Sequence, residues 1–404
     1  MNVVIDCPQC GGDITFDEEL EVVRCPYCDS LHQLSGKSNI PRFMIAPRWS
    51  EAECRRRVME LLGRKKSLRL KKRQLRLVHA PYWRSKGMVF HWLLGKKQKF
   101  SRSSCKGSWD DVKELKTKAF DLSFPAYKNI SLGLQSLGIR TAAMPLRLYH
   151  PSRLCNNEVV LPTEVSPQEA LERSNGFLAF GLNESSLRVE VQETRFVGEV
   201  YSIVYFPFWL LEMGAGDTTC LLVIDGVANK VRQTLWRQDV SSFFSGQQPK
   251  PDLGGLGTLH LIPCRCPVCG WDFPFSARSK IHLCPTCSRA WAEENGTYRQ
   301  VEYQLAAAGR DCGHPVRYLP FWNLQTLIHT SQGSLRVRKD LRKLAPGLEA
   351  TGKKANGSIP IRFLIPAFKI KSMRSLSRFA TLFFRSPPET GLRRKEQLKK
   401  ETFE

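Results

Sequence analysis

Residues 7–28 read CPQCGGDITFDEELEVVRCPYC and residues 266–287 read CPVCGWDFPFSARSKIHLCPTC. Each is a pair of Cys-Pro-x-Cys knuckles with fourteen residues between them. Two residues between cysteines let one tight turn aim both sulfurs at one ion, and the proline and trailing glycine suit that turn. A fourteen-residue gap fits a β-hairpin that brings the second knuckle back to the first. Zinc, which takes four thiolates tetrahedrally at about 2.3 Å, is the expected ion. Cys7, Cys10, Cys25 and Cys28 are assigned to one zinc, and Cys266, Cys269, Cys284 and Cys287 to a second. A closed sphere of four cysteines leaves no position for a substrate water, so both ions read as structural. Such ions contribute about 10–16 kcal/mol of apparent binding energy, and hairpins this small depend on it. The competing reading, disulfides, suits an oxidising compartment. The start MNVVIDCPQC lacks the basic head of a secretory signal, so a reducing cytoplasmic location is expected.

The two ribbons align at an offset of 259 residues, with Gly11 and Gly270, Asp13 and Asp272, and Phe16 and Phe275 identical beside the cysteines. The correspondence continues. APYW at 80–83 matches LPFW at 319–322, and FPAYK at 124–128 matches IPAFK at 365–369. Matches in one order predict a duplicated module. The 20-residue difference in offset is supplied by FMIAPRWSEAECRRRVMELLG, which the second copy lacks. Ser50 and Glu53 form a capping box there, Ala52, Val58, Met59, Leu61 and Leu62 supply an apolar face, and Gly63 is the stop. Ser166, Pro167 and Glu169 predict a second helix start.

The middle third reads as β-rich, with a hairpin signal at Asp225-Gly226 and a third Pro-aromatic-Trp segment, FPFW, at 206–209. A proline-bearing strand belongs at an edge or a bulge. The aromatic residues that follow are read as core anchors rather than stacking platforms. The expected fold is α+β: two rubredoxin-like zinc-ribbon hairpins, each opening a duplicated β-rich module, around a β-rich middle domain. The expected divisions are ribbon one at 1–40, a basic module at 41–140, the middle domain at 141–245, ribbon two at 259–300, a second basic module at 301–385 and a charged tail at 386–404.

The net charge of +23 is concentrated in two blocks. Residues 42–140 carry 25 basic and seven acidic residues, and residues 331–404 carry 18 and six. Such blocks meet phosphate of nucleic acid or lipid, or serve only as a solvated surface. The densest run holds Arg64, Lys65, Lys66, Arg69, Lys71, Lys72, Arg73 and Arg76. Lys96, Lys97 and Lys99 follow, with Phe100 and Trp109 nearby. Cations interleaved with aromatics suit phosphate neutralisation with base stacking. Of the two hairpin loops, DEELE repels phosphate and SARSK tolerates it, so any ribbon contact with nucleic acid is expected from the second. No phosphate loop, helicase, hydrolase or dinucleotide signature is present. No apolar run reaches the roughly 18–20 residues of a membrane span. MRSLSRFATLFFRS, at 373–386, mixes basic and apolar residues at helical spacing and is read as a core-facing helix, with an anionic membrane surface as the alternative.

The CPxC units, the proline-capped stretches IAPRWSEAE and LPTEVSPQEA, the strand YFPFWLLE and the hairpin IDGVANKV together resemble a group of poorly characterised bacterial zinc-ribbon proteins. Some of these are labelled by similarity as primosomal replication or helicase proteins. The resemblance spans about two thirds of the chain and implies zinc binding and a modular soluble fold. Replication activity does not follow, because helicase motifs are missing. The expectation is a non-enzymatic zinc protein whose basic surfaces bind nucleic acid or another polyanion. A protein–protein adaptor is the alternative, and a peripheral membrane protein the third. Oligomeric state is not set by the sequence.

Overall fold

The computed structural model describes residues 2–37, 40–63, 71–99, 108–128, 130–155, 158–180, 188–215, 218–236, 259–306, 317–330, 333–337, 340, 360–368, 372–385, 390–391 and 402–403. The fold is mostly β, with few helices. Two compact units form: one of Met1–Cys264, Phe275–Lys280 and Glu293–Thr297, the other of Arg265–Pro274, Ile281–Ala292 and Tyr298–Glu404.

The first unit opens with β1 (Asn2–Asp6), β2 (Asp13–Asp17), β3 (Val22–Arg24), β4 (Leu31–Ser35), β5 (Arg42–Met44) and α1 (Glu51–Gly63). Then come β6 (Lys71–Lys99), β7 (Ser108–Pro125), α2 (Arg140–Ala143), β8 (Leu146–Leu148) and β9 (Glu158–Val160). After α3 (Pro167–Phe180) follow β10 (Arg188–Ala215), β11 (Thr218–Asp225), β12 (Val231–Trp236) and β13 (His260–Pro263).

The axis of this unit is the antiparallel pair β6–β10, in register from Lys71↔Gly214 to Lys96↔Arg188 with three bulges. Segments read from sequence as the first basic module and as the middle domain therefore share one sheet. The outer edge of β10 takes β5 and then β11, while that of β6 takes β9 and then β7. Pro81 and Pro207 sit inside these central strands, not at sheet edges. Each occupies a handover between two neighbours, where no ladder donor is needed. Pro81 lies between the end of β9 at His79↔Val160 and the end of β7 at Tyr82↔Pro125. Pro207 lies between β5 at Tyr205 and β11 at Phe208. Each proline carbonyl still accepts a bond, from Ala126 N at 2.9 Å and from Gly226 N at 3.0 Å. The missing N–H thus costs nothing.

The stretch Ile203–Leu211 is buried throughout, which explains its unbroken apolar run. Val204, Phe206, Phe208 and Leu210 face a core shared with Val3, Ile5, Ile14 and Phe16 of the first ribbon. Ile203 and Tyr205 meet Trp83 and the Val165–Ala170 region at the start of α3, and Trp209 and Leu211 meet Cys54 and Val58 of α1. Burial of such side chains stabilises by about 2 kcal/mol each. The aromatics of APYW and FPFW are core, as expected, and their polar ends are satisfied. Trp83 Nε1 donates to Val165 O at 2.9 Å and Trp209 Nε1 to Trp49 O at 3.0 Å.

Both expected helix caps form. Ser50 N donates to Glu53 at 2.8 Å, and Glu169 N donates to Ser166 Oγ at 3.2 Å. The buried stripe of α1 is the expected Val58 together with Cys54, whereas Ala52 and Met59 face solvent. Spacing of i, i+4 allows only one narrow stripe to reach the sheet. The side chains of Leu61 and Leu62 lie outside the described set.

The acidic loop of the first ribbon is an ion-pair hub. Glu18 takes Lys86 at 2.7 Å and Arg84 at 3.2 Å, while Asp121 holds the other side of the buried Arg84 guanidinium at 2.5 Å. The loop Phe275–Lys280, which contains SARSK, is part of this same unit. The Ala277 carbonyl accepts from Glu21 N and Val22 N at 2.7 and 3.1 Å, Arg278 approaches Glu19 at 3.5 Å, and Arg24 lies over the Phe275 ring. The basic loop is therefore engaged by the acidic one, with Arg278 and Lys280 still more than half exposed.

In the second unit, β14 (Ile281–Leu283) pairs with β15 (Ala290–Glu294) over Ile281–Leu283 and Ala290–Ala292. Phe273 stacks on His282, and burial pushes that imidazole down to about 4, so the ring is neutral at ordinary pH. Strand Phe321–Gln325 pairs with Arg362–Pro366. Here Phe321↔Pro366, Trp322↔Ile365 and Ala367 N→Pro320 O repeat the register of Tyr82↔Pro125, Trp83↔Phe124 and Ala126 N→Pro81 O. Unlike Trp83, Trp322 is exposed. Helix Met373–Arg385 places Phe383 against Phe321 at 5.0 Å, with the described side chains of the helix half-buried or exposed. Among the described residues, no helix is long and apolar enough to cross a membrane.

The Asp225-Gly226 hairpin forms as expected and hides a charge. Asp225 is fully buried. It accepts from the amides of Val227 and Ala228 at 2.9 and 2.8 Å, from Arg232 at 2.6 Å and from Arg140 at 3.3 Å. Asp225→Ala leaves two guanidinium groups and two amides short of an acceptor. We expect a loss of about 3 kcal/mol in denaturant unfolding, whereas Glu60→Ala, at the exposed pair with Arg57, costs less than about 1 kcal/mol.

Candidate metal centres and the exposed arm

The four knuckles fold alike because each closes on the same backbone bonds. Gly11 N donates to Cys7 O, and Cys7 N to Gly12 O, both at 2.9 Å. Gly270 N→Cys266 O and Cys266 N→Trp271 O repeat this at 2.9 Å. The second knuckles close through Asp29 N→Cys25 O and Ser288 N→Cys284 O. The turn needs a left-handed residue after each pair. Gly11 and Gly270 meet it at φ 74° and 70°, whereas Asp29 and Ser288 adopt it at 61° and 55°.

These turns bring together all eight predicted ligands in two quartets, Cys7, Cys10, Cys25 and Cys28, and Cys266, Cys269, Cys284 and Cys287. Within each quartet the sulfurs all lie within 4.8 Å of one another. Sulfur separations are 3.8 Å for Cys7–Cys28, 3.6 Å for Cys10–Cys25, 3.6 Å for Cys266–Cys287 and 3.4 Å for Cys269–Cys284. A tetrahedron with metal–sulfur bonds of about 2.3 Å has edges of about 3.8 Å, so a dication fits both cages with little adjustment. These separations are far beyond the S–S bond of about 2.05 Å, and every described cysteine is a free thiol.

Electrostatics favour a cation too. At Cys7, burial opposes ionisation, but the amides of Cys10 and Gln9 and the Ser30 hydroxyl outweigh it and hold the thiol below its usual range. At Cys10, the Gly12 amide favours ionisation, but desolvation and the neighbouring sulfurs outweigh it and push the thiol up. Four thiols this close cannot all ionise unless positive charge sits among them.

The basic residues singled out from sequence are not brought to one place. Arg64, Lys65, Lys66 and Arg69 lie outside the described residues. Lys71, Lys72 and Arg73 begin β6, and Lys97 and Lys99 end it opposite Asp110 and Ser108; only the backbones of these five are described. Arg76 is half-buried near Glu158 and Cys155, and Lys96 pairs with Glu190 at 3.2 Å. At about 3.3 Å per residue, Lys72 and Lys96 stand about 80 Å apart along the strand.

Between those ends is a feature that the sequence reading passed over. The distal half of β6, with β7 and the start of β10, forms a three-stranded arm. Residues of β6 alternate there: Val89, His91 and Leu93 are buried, while Met88, Trp92 and Leu94 are about 40% exposed. Cross-strand pairing puts Leu115, Val191 and Val197 on the exposed face beside them, and Trp109 further along β7. Phe90 stacks on Trp92 with ring centres 6.0 Å apart. GMVFHWLLG gives no such signal, because it is apolar on both alternating sets except for His91, which lies on the buried side. No protein-family model, curated protein or solved structure matches the chain.

Metal analysis of the purified protein checks the cages. We expect two ions per chain, falling to one in both Cys28→Ser and Cys287→Ser. Removal of metal by a strong chelator is expected to unfold both ribbons.

Proposed function

We propose that this is a non-enzymatic protein stapled by two zinc ions, which binds single-stranded nucleic acid on the exposed face of its β-arm. Zinc follows from the all-sulfur tetrahedral donor sets, which select soft, closed-shell ions. The observation that carries the binding reading is the exposed face itself. Phe90, Trp92 and Trp109 lie on it, with Lys113 and Arg195 among them. It leads into the basic segment 96–106, which holds Lys96, Lys97, Lys99, Arg102 and Lys106 without an acidic residue. Aromatic platforms on a sheet bind bases without regard to sequence, while cations track the backbone. The net charge of +23 supports a polyanionic partner. We read the chain as an internal duplication, supported by the repeated knuckle bonds and the repeated register around Pro81 and Pro320.

A protein adaptor is the second reading, and one observation favours it. Met88, Leu94, Leu115, Val191 and Val197 make the same face aliphatic as well as aromatic, and Lys96–Glu190 and Arg195–Glu193 neutralise cations beside it. Exposed apolar patches with paired charges mark protein interfaces.

Fluorescence anisotropy with a labelled single-stranded oligonucleotide separates the two. We expect binding at about 50 mM salt that weakens steeply by about 200 mM. Trp92→Ala is expected to weaken it about tenfold or more, given roughly 1–3 kcal/mol per stacked base. No binding at the lower salt concentration would discard the nucleic-acid reading. Protein partners that survive nuclease treatment and are lost in Trp92→Ala would establish the adaptor.

A further inference from the structure

We propose that Ser30 and His32 form a hydrogen-bonded relay that grips the metal of the first ribbon, so that the two four-cysteine centres release their ions at different rates. The inference rests on the zinc reading above. Ser30 Oγ lies 3.0 Å from Cys28 Sγ and 2.7 Å from His32 Nε2. The same His32 nitrogen is 3.5 Å from Cys7 Sγ. The imidazole is buried at 3% exposure. Its backbone is held on both sides, opposite Val23 in β3 and Pro263 in β13, so a three-stranded sheet fixes where the ring stands.

Metal binding sets the direction of the protons. A metal-bound thiolate is only an acceptor, so the Ser30 hydroxyl donates to Cys28 Sγ. Its oxygen then accepts from His32, whose Nε2 must carry the hydrogen. Cys7 Sγ is a second, longer acceptor for that same N–H. His32 Nδ1 is left with a lone pair, and it is buried with no hydrogen-bond partner. An N–H there would be an unmet buried donor, so the neutral tautomer protonated at Nε2 is the one the site supports. Four thiolates on a dication leave two surplus negative charges. Donors fixed on two of the sulfurs offset that surplus and resist departure of a ligand arm, the way outer hydrogen bonds support metal ligands in general.

At the matching positions of the second ribbon the pair is replaced. Residues 259 positions on from Ser30 and His32 are Arg289 and Trp291. Arg289 is exposed, and Trp291 Nε1 is buried without a partner, so it donates to no sulfur. Two cages with the same knuckles and the same ligands therefore differ in what stands behind them.

The test is metal transfer from the full-length protein to a chromogenic zinc chelator, with metal content measured beforehand. We expect two phases of one ion each in the natural protein, the slower at least about tenfold behind the faster. Cys287→Ser should retain only the slow phase, and Cys28→Ser only the fast one. Ser30→Ala should bring the slow phase to within a few-fold of the fast phase, and Ser30→Thr, which keeps the hydroxyl, should preserve it. Release of both ions at one rate, or a slow phase unchanged in both Ser30→Ala and His32→Leu, would overturn the relay. Fewer than two ions in the natural protein would overturn the zinc reading itself, and the relay with it.

Discussion

The pairing of β6 with β10 is the constraint on which the first unit depends. Where two strands of nearly thirty residues run side by side through a core, each outer edge must be filled as well, because an unpaired backbone there costs several kcal/mol per group. Neither edge has one partner long enough. Each is filled by two shorter strands in succession, and at the seam one residue has no ladder partner. Proline is the residue that loses least there. Pro81 and Pro207 thus fix where β9 gives way to β7 and where β5 gives way to β11. The helices follow from that placement: the aromatic and aliphatic residues on the odd face of β10 are covered by α1 and by the start of α3, and the even face by the first ribbon.

The first cage serves the same sheet. Ile5, Cys7, Ile14, Phe16 and Cys25 share one core with Phe206, Phe208 and Leu210. A hairpin of this size has too little apolar surface to hold its own shape. Fixed at its knuckles, it presents a rigid apolar face to β10 on one side. On the other, its acidic loop holds Lys86 and one side of the buried Arg84, whose other side is held by Asp121. The ribbon is a load transferred from metal to core, and DEELE is part of that structure rather than a surface that repels ligands.

Much of this was legible in the sequence because it is local. Knuckle spacing determines the cages, Ser50 with Glu53 and Ser166 with Glu169 determine helix starts, and Asp225-Gly226 determines a turn. Three things were not legible, for one reason. The position of Pro81 inside a central strand, the pairing of residues 71–96 with 188–214, and the engagement of SARSK by DEELE all depend on partners remote in the chain. A charge count sees only the totals. It counted the cations near 72 and near 96 in one block, though a straight strand sets them about 80 Å apart. The exposed face of the arm was missed differently: GMVFHWLLG is apolar on both of its alternating sets apart from the buried His91, so nothing in it marks which set faces out.

The places where the two ribbons and the strands at Pro81 and Pro320 differ carry more information than the places where they agree. The knuckle bonds match because four sulfurs and one ion permit little else. The register after Pro81 and Pro320 matches because proline, an aromatic pair and a returning Pro-Ala segment dictate it together. Away from those constraints the surroundings change freely. Trp83 is sealed in a core with Val165 and Ala170, whereas Trp322 is exposed and the neighbouring Phe321 takes Phe383 instead. Ser30 and His32 stand where Arg289 and Trp291 stand in the other ribbon. A device whose only purpose was to staple a hairpin would gain nothing from a hydroxyl and an imidazole set against two of its sulfurs. That the difference falls on the layer that tunes a metal, and not on the ligands that hold it, argues that the two centres are equal as clasps and unequal in how firmly they are locked.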